Sequence, residues 1–114
     1  MRIDEMAEAA FNNAAAHGFH DKERSVGDDA SLLHTEVSEF YEAFRSGEHG
    51  VHYREGDSKP EGMMSELADI AIRLGDTAER LRRAGLVTQT LGEAIIEKMA
   101  YNKTRPYMHG NKRL

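Results

Sequence analysis

Apolar residues recur every three to four positions in four separate segments of the chain, which is the pattern of amphipathic α-helices. Alternation of apolar and polar residues, the pattern of β-strands, is essentially absent. The spacing therefore predicts an all-α chain, with helices over about 4–17, 29–45, 61–84 and 88–103. The segment 47–60 is rich in glycine and charge and is predicted to be a loop.

The composition fits one small domain. We expect residues 1–106 to form a single all-α domain and residues 107–114 to be a mobile C-terminal tail. Of the 114 residues, 39% are hydrophobic, which allows only a modest core, so we expect the core to be completed by dimerisation. The net charge of -5 argues against broad binding to nucleic acid. The chain has no cysteine, which excludes thiolate metal sites.

The chain lacks both the apolar segment of a signal peptide and an apolar run long enough for a membrane span. We therefore expect a cytoplasmic protein with no membrane partner.

The second and third helices each carry two acids at one edge of an apolar stripe. At about 100° per residue, Glu36 and Glu66 fall about 60° from the first residue of their stripes, and Glu39 and Asp69 about 120°. If the helices pack antiparallel with the stripes inward, the four acids converge. The stripe on the second helix consists of Leu33, Val37, Phe40, Tyr41 and Phe44.

Four carboxylates in one cleft repel one another, and a hard divalent cation removes that cost. Ligands that are all oxygen favour Mg²⁺, with Mn²⁺ as a substitute, over zinc. The alternative is that these are solvated acids flanking a core. Glu42 lies opposite the stripe and serves as a comparison, because we expect it to be plain surface.

The fourth helix continues its apolar face with polar residues. Taking Leu91 and Ile95 as the inward side, Lys98, Asn102 and Arg105 follow on the same face. Charged groups are rare on buried faces unless they are paired. Either these residues pair with the acids or extend to solvent at the end of the bundle, or they bind the phosphates of a ligand.

Three motifs occur in order, E-V-S-E at 36–39, E-L-A-D at 66–69 and K-x-x-x-N-x-x-R-P at 98–106. Together they resemble the MazG-like nucleotide pyrophosphohydrolases, which belong to the all-α NTP pyrophosphatase superfamily with the dimeric dUTPases. The resemblance covers nearly the whole chain. It implies a four-helix bundle that assembles as a dimer or tetramer. It also implies Mg²⁺-dependent hydrolysis of a nucleoside triphosphate to the monophosphate and pyrophosphate.

The resemblance also implies roles for individual residues. The metal ligands and catalytic acids would be Glu36, Glu39, Glu66 and Asp69, and the nucleotide contacts would be Lys98, Asn102 and Arg105. Glu39 is our candidate for the group that accepts a proton from the attacking water. Similar sequences often hold a tryptophan in the first connector, where Phe19 or His20 would have to stack on the base here.

Three other functions fit parts of the pattern. A di-iron oxidase bundle uses E-x-x-H pairs, which this chain lacks. An HD-type phosphohydrolase would rest on the single dipeptide His20-Asp21. A helical interaction module that kept the fold and lost catalysis remains the main alternative.

Overall fold

Four helices account for most of the protein in a computed structural model that describes residues 2–53 and 55–107. The helices are α1 (Ile3–Ala16), α2 (Val26–Arg45), α3 (Met63–Arg83) and α4 (Leu91–Lys103). The predicted all-α class is confirmed. Of the predicted tail 107–114, only Tyr107 lies within the described residues. In the described part of the chain, no helix is long and apolar enough to span a membrane.

Capping boxes set where two of the helices begin. Ser25 accepts a hydrogen bond from the backbone N–H of Asp28, and the Asp28 carboxylate accepts one from the backbone N–H of Ser25. This reciprocal pair satisfies N–H groups in the first turn, so α2 begins three residues before the predicted start. Thr90 and Glu93 form the same arrangement at α4, which begins three residues later than predicted.

The sequence predicted a loop between α2 and α3, but this segment holds a short β-hairpin. Strands β1 (His52–Tyr53) and β2 (Pro60–Glu61) pair antiparallel, with His52 opposite Glu61. The backbone N–H of Met63 donates to the Glu48 carbonyl at 2.7 Å. Gly62 has φ +110, and a Cβ there would collide with the Gly50 carbonyl, so only glycine fits. These contacts anchor the hairpin to both helices.

Helices α2 and α3 pack antiparallel, which is the condition under which the acids can converge. Asp29 near the start of α2 pairs with Arg80 near the end of α3, and Glu36 lies 3.7 Å from Arg73. At the other end of the pair, Glu48 accepts its bond from Met63.

Helices α1 and α4 pack on this pair. Helix α1 crosses α3 at Gly75, where an added Cβ would lie 3.0 Å from the Cα of Ala7. The Asp4 carboxylate accepts hydrogen bonds at 2.8 Å from the Thr90 hydroxyl and from the backbone N–H of Gly92. Asp4 thus joins the first turns of α1 and α4.

The apolar stripe predicted to be buried on α2 is mostly exposed. Leu33 and Phe40 are partly buried, whereas Val37, Tyr41 and Phe44 are 50%, 59% and 51% exposed. The reason is the rotation of α2 about its axis, because the side that faces α3 lies towards the acids rather than along the apolar stripe. That side carries Asp29, Glu36, Phe40 and Ala43.

The hydrophobic core of one chain is correspondingly small. Among the described residues, Ala7 and Ala43 are the only buried hydrophobic ones. The exposed stripe has a counterpart on α3, where Leu67 and Leu74 are 40% and 41% exposed. Since the two stripes have matching angular positions on antiparallel neighbours, they form one apolar face, which we call the α2–α3 face.

Candidate metal centre

Three of the four predicted acids come together between α2 and α3. Glu36, Glu39 and Glu66 each offer a carboxylate oxygen, and these oxygens lie within 4.8 Å of one another. Oxygens around an octahedral Mg²⁺ lie about 3 to 4 Å apart. Small changes of side-chain rotamer would therefore let all three bind one ion.

The environment of Glu66 also fits a cation. Its Oε2 atom is buried and has no hydrogen-bond partner among the residues that the structure describes. A buried carboxylate oxygen without a partner is costly, and a metal ion is one of the few groups that can satisfy it. The donor set consists of carboxylate oxygens only, which matches the hard cations Mg²⁺ and Mn²⁺.

Asp69 occupies the edge of this site. It is exposed and does not belong to the group of three oxygens within 4.8 Å. Its negative charge nevertheless raises the pKa of both Glu36 and Glu66. Asp69 is therefore near enough to influence the site, and its predicted role as a ligand remains a prediction. Glu42 has a side chain 66% exposed and pairs with Arg45, as expected for plain surface.

Burial and mutual repulsion disfavour ionisation of the two inner glutamates. Burial is the larger cause of the raised pKa of Glu36, followed by the charges of Glu39 and Asp69. The pKa of Glu66 is raised by burial first and then by the charges of Asp69, Glu39 and Glu36. The protein thus holds like charges together at a cost that a bound cation would reverse.

Two basic residues that sequence reasoning missed lie close to the acids. Arg73 has its guanidinium 3.7 Å from Glu36, and its buried Nε atom has no hydrogen-bond partner within 2–53 and 55–107. Lys59, in the segment that leads into β2, lowers the pKa of Glu66 by its charge. The spacing of Arg73, four residues after Asp69 on the same side of α3, was the available indication.

A cavity of about 140 Å³ adjoins the acids and reaches the first connector. It is lined by Asn13, Phe19, Glu36, Asp69, Ile72 and Arg73, among others. Phe19 is 59% exposed at its rim. The other predicted stacking residue, His20, is engaged elsewhere, because its Nε2 lies 2.7 Å from Asp76 and its ring stacks on Phe11. Of the two candidates, Phe19 is the one that lines this cavity.

The predicted phosphate-binding residues of α4 are not on a buried face, contrary to the prediction. Lys98 and Asn102 are exposed, and Arg105 is partly buried. The basic groups of Lys98 and Arg105 lie 5.5 Å and 5.9 Å from the ring of Tyr101. Within the described residues α4 packs on α1 and α3 and makes no helix contact with α2. Its N-terminal half makes the packing contacts, which leaves the C-terminal half in solvent.

A buried ionic network that the sequence did not reveal fixes the other end of the α2–α3 pair. Asp29 is 1% exposed and lies between Arg24, at 3.0 Å, and Arg80. Asp76 is 2% exposed and contacts His20 and Arg24. Because each buried carboxylate meets basic groups, the network holds the first connector against α3.

The chain was compared with protein-family models, with curated proteins and with solved structures. None of the three comparisons gave a match.

Proposed function

We propose that the protein is a Mg²⁺-dependent, MazG-like nucleoside triphosphate pyrophosphohydrolase that releases a monophosphate and pyrophosphate in the cell's nucleotide pool. The observation that carries this proposal is the convergence of Glu36, Glu39 and Glu66, with a buried Glu66 oxygen that no described residue hydrogen-bonds. A site that concentrates negative charge against its own stability is typical of metal-dependent chemistry.

The proposed roles follow from position. Mg²⁺ held by the carboxylates would supply charge neutralisation and Lewis acidity towards the phosphates. Glu39 is the exposed member of the group of three, so it can accept the proton of an attacking water. Arg73 and Lys59 lie at the acids and offer positive charge to the phosphates. Asp69 completes the acidic edge as the fourth predicted ligand.

The cavity beside the acids suits one part of a nucleotide. At about 140 Å³ it is smaller than typical ligand pockets of about 300 to 1,000 Å³, so we assign it to one part of the nucleotide only. A base in this cavity would lie against Phe19, with the Asn13 amide available for hydrogen bonds. The phosphates would then lie outside it, over the carboxylates.

A second copy of the chain is the proposed partner for the α2–α3 face. The face presents Val37, Tyr41 and Phe44 from α2 beside Leu67 and Leu74 from α3. Contiguous exposed apolar groups of this kind mark interaction sites. A chain with so small a hydrophobic core would bury more apolar surface by pairing this face with that of a second copy. Light scattering should give a dimer or tetramer, and Tyr41→Asp should shift it to the monomer. Tyr53→Asp, on the hairpin, is the matched control.

The alternative function, a helical interaction module without catalysis, is favoured by the same exposed face. One experiment separates the two. The purified protein is incubated with Mg²⁺ and a panel of NTPs and dNTPs, and the products are resolved by chromatography. Monophosphate with pyrophosphate, lost in Glu66→Gln and kept in Glu42→Gln, supports the hydrolase. Diphosphate with phosphate as the products would keep the metal site but mean that a different phosphate bond is cut. No turnover with any nucleotide favours the interaction module.

A further inference from the structure

The hairpin between α2 and α3 brings together a second set of metal-ligating groups. Glu48, His52 and Glu61 each offer one ligand atom, and these atoms lie within 4.8 Å of one another. They come from the segment after α2, from β1 and from β2. The register of the hairpin places His52 opposite Glu61, and the Met63–Glu48 backbone bond returns the chain to the start of the segment.

The distances within this set match ligands of a common ion better than an ion pair. His52 Nε2 lies 3.6 Å from Glu48 Oε1 and 3.8 Å from Glu61 Oε2. A charge-assisted hydrogen bond between imidazolium and carboxylate would be about 2.7 to 2.9 Å long. Ligands about 2.1 Å from a tetrahedral zinc ion lie about 3.4 Å from one another. The two His52–glutamate distances are therefore close to the separation of ligands around one such ion.

The orientation of the imidazole agrees with this interpretation. The Nδ1 atom of His52 lies 3.5 Å from the carbonyl oxygen of Gly50, while Nε2 points between the two glutamates. Histidines that bind a metal through one nitrogen commonly direct the other N–H towards a backbone carbonyl. The Gly50 carbonyl is itself positioned by its close approach to Gly62.

We propose that Glu48, His52 and Glu61 form a second divalent-cation site that prefers Zn²⁺ or a similar transition metal to Mg²⁺. One imidazole nitrogen with two carboxylates is a borderline donor set, whereas the acidic site between α2 and α3 has oxygen ligands only. Three protein ligands leave one position of a tetrahedral ion open. The side chains of His52 and Glu48 are 40% and 39% exposed, so an ion can enter from solvent.

An ion at this position would fasten the hairpin. It would cross-link the end of α2 to both strands, and β2 leads directly into the helix that carries Glu66. Lys59, whose charge acts on Glu66, immediately precedes β2. The second site is independent of the proposed nucleotide hydrolysis, because its ligands do not belong to the acidic site.

Calorimetric titration with ZnCl₂ tests the proposal, using metal-free protein in a large excess of MgCl₂ that occupies the acidic site. Wild type should bind one Zn²⁺ per chain at this site, and His52→Ala and Glu48→Gln should each weaken binding at least tenfold. His49→Ala is the matched control, since His49 lies in the same segment outside the set and stacks on Phe44. Glu66→Gln should bind Zn²⁺ like wild type.

Two results would overturn the second site. One is equal Zn²⁺ affinity of His52→Ala and His49→Ala, and the other is no Zn²⁺ binding by wild type in excess Mg²⁺. Circular dichroism checks that every variant keeps its helices. Loss of Zn²⁺ binding in Glu66→Gln but not in His52→Ala would place the ion at the acidic site instead. Absence of nucleotide turnover would not affect any of these outcomes.

Discussion

Replacing Glu66 by glutamine should stabilise the metal-free protein and remove its response to Mg²⁺. The substitution keeps the size of the side chain and deletes one of three charges whose oxygens lie within 4.8 Å. At that distance one pair of like charges costs about 1 kcal/mol in a water-like dielectric and about 3 kcal/mol at an effective dielectric constant of 20. Because Glu39 is exposed, the lower value applies, and losing the repulsions from Glu36 and Glu39 gives about 1 to 2 kcal/mol. Loss of the repulsion from Asp69 acts in the same direction.

Urea unfolding followed by circular dichroism, at one fixed protein concentration, measures this change. In EDTA at neutral pH, Glu66→Gln should have the higher free energy of unfolding. A saturating ligand stabilises the folded state by about 2.7 kcal/mol at one hundred times its dissociation constant. Added Mg²⁺ should therefore raise wild type above the variant, so that the order of the two proteins reverses.

The comparison with Glu42→Gln makes the result interpretable. Glu42 is a surface residue of the same helix pair, and its loss should change the free energy of unfolding by less than about 0.5 kcal/mol in either buffer. Our reasoning is refuted if Glu66→Gln destabilises the protein in EDTA. It is also refuted if Mg²⁺ stabilises Glu66→Gln as much as it stabilises wild type.

Three further predictions concern pH, the attachment of α4 and the buried network. The raised pKa values of Glu36 and Glu66 mean that the folded state binds more protons than the unfolded state just above pH 4.5, the ordinary pKa. The metal-free protein should therefore lose stability as pH rises from there through the raised pKa values, and urea midpoints across that range check this. Asp4→Ala should cost about 1 to 2 kcal/mol, because the first turn of α4 loses its acceptor, and hydrogen exchange should increase there first. Asp29→Ala should cost about 3 to 5 kcal/mol by leaving two arginines without their shared carboxylate, and a loss below 1 kcal/mol by urea unfolding would contradict the buried network.

The sequence predicted the features that depend on local spacing. Helical periodicity identified the four helices, and the acidic spacings identified Glu36, Glu39 and Glu66, which do converge. Local side-chain chemistry shifted the ends, since the Ser25–Asp28 capping box started α2 before its apolar pattern began. The hairpin depended on pairing across a glycine-rich segment, which short strands do not reveal.

The features that depend on tertiary packing were less accessible. An apolar stripe shows where a helix is amphipathic, but not whether the apolar side faces its own chain or a partner, and Tyr41 and Phe44 proved to be exposed. The polar side of α2 faces α3, where Asp29 pairs with Arg80, 51 positions away in the sequence. Asp29 also pairs with Arg24 of the first connector. The prediction that Lys98 and Asn102 lie on a buried face was wrong, because only the first half of α4 packs on the other helices.

The bond between Asp4 and Thr90 has a consequence for the order of folding. It joins positions 86 residues apart, so α4 can dock only after nearly the whole described chain has been synthesised. Helix α2, the β-hairpin and α3 are close in sequence and can associate earlier. Until α4 docks, water occupies the hydrogen-bonding positions of the Asp4 carboxylate at the first turn of α1. Truncations or fusions that displace the first few residues would then release the last helix, which lies at the opposite end of the sequence.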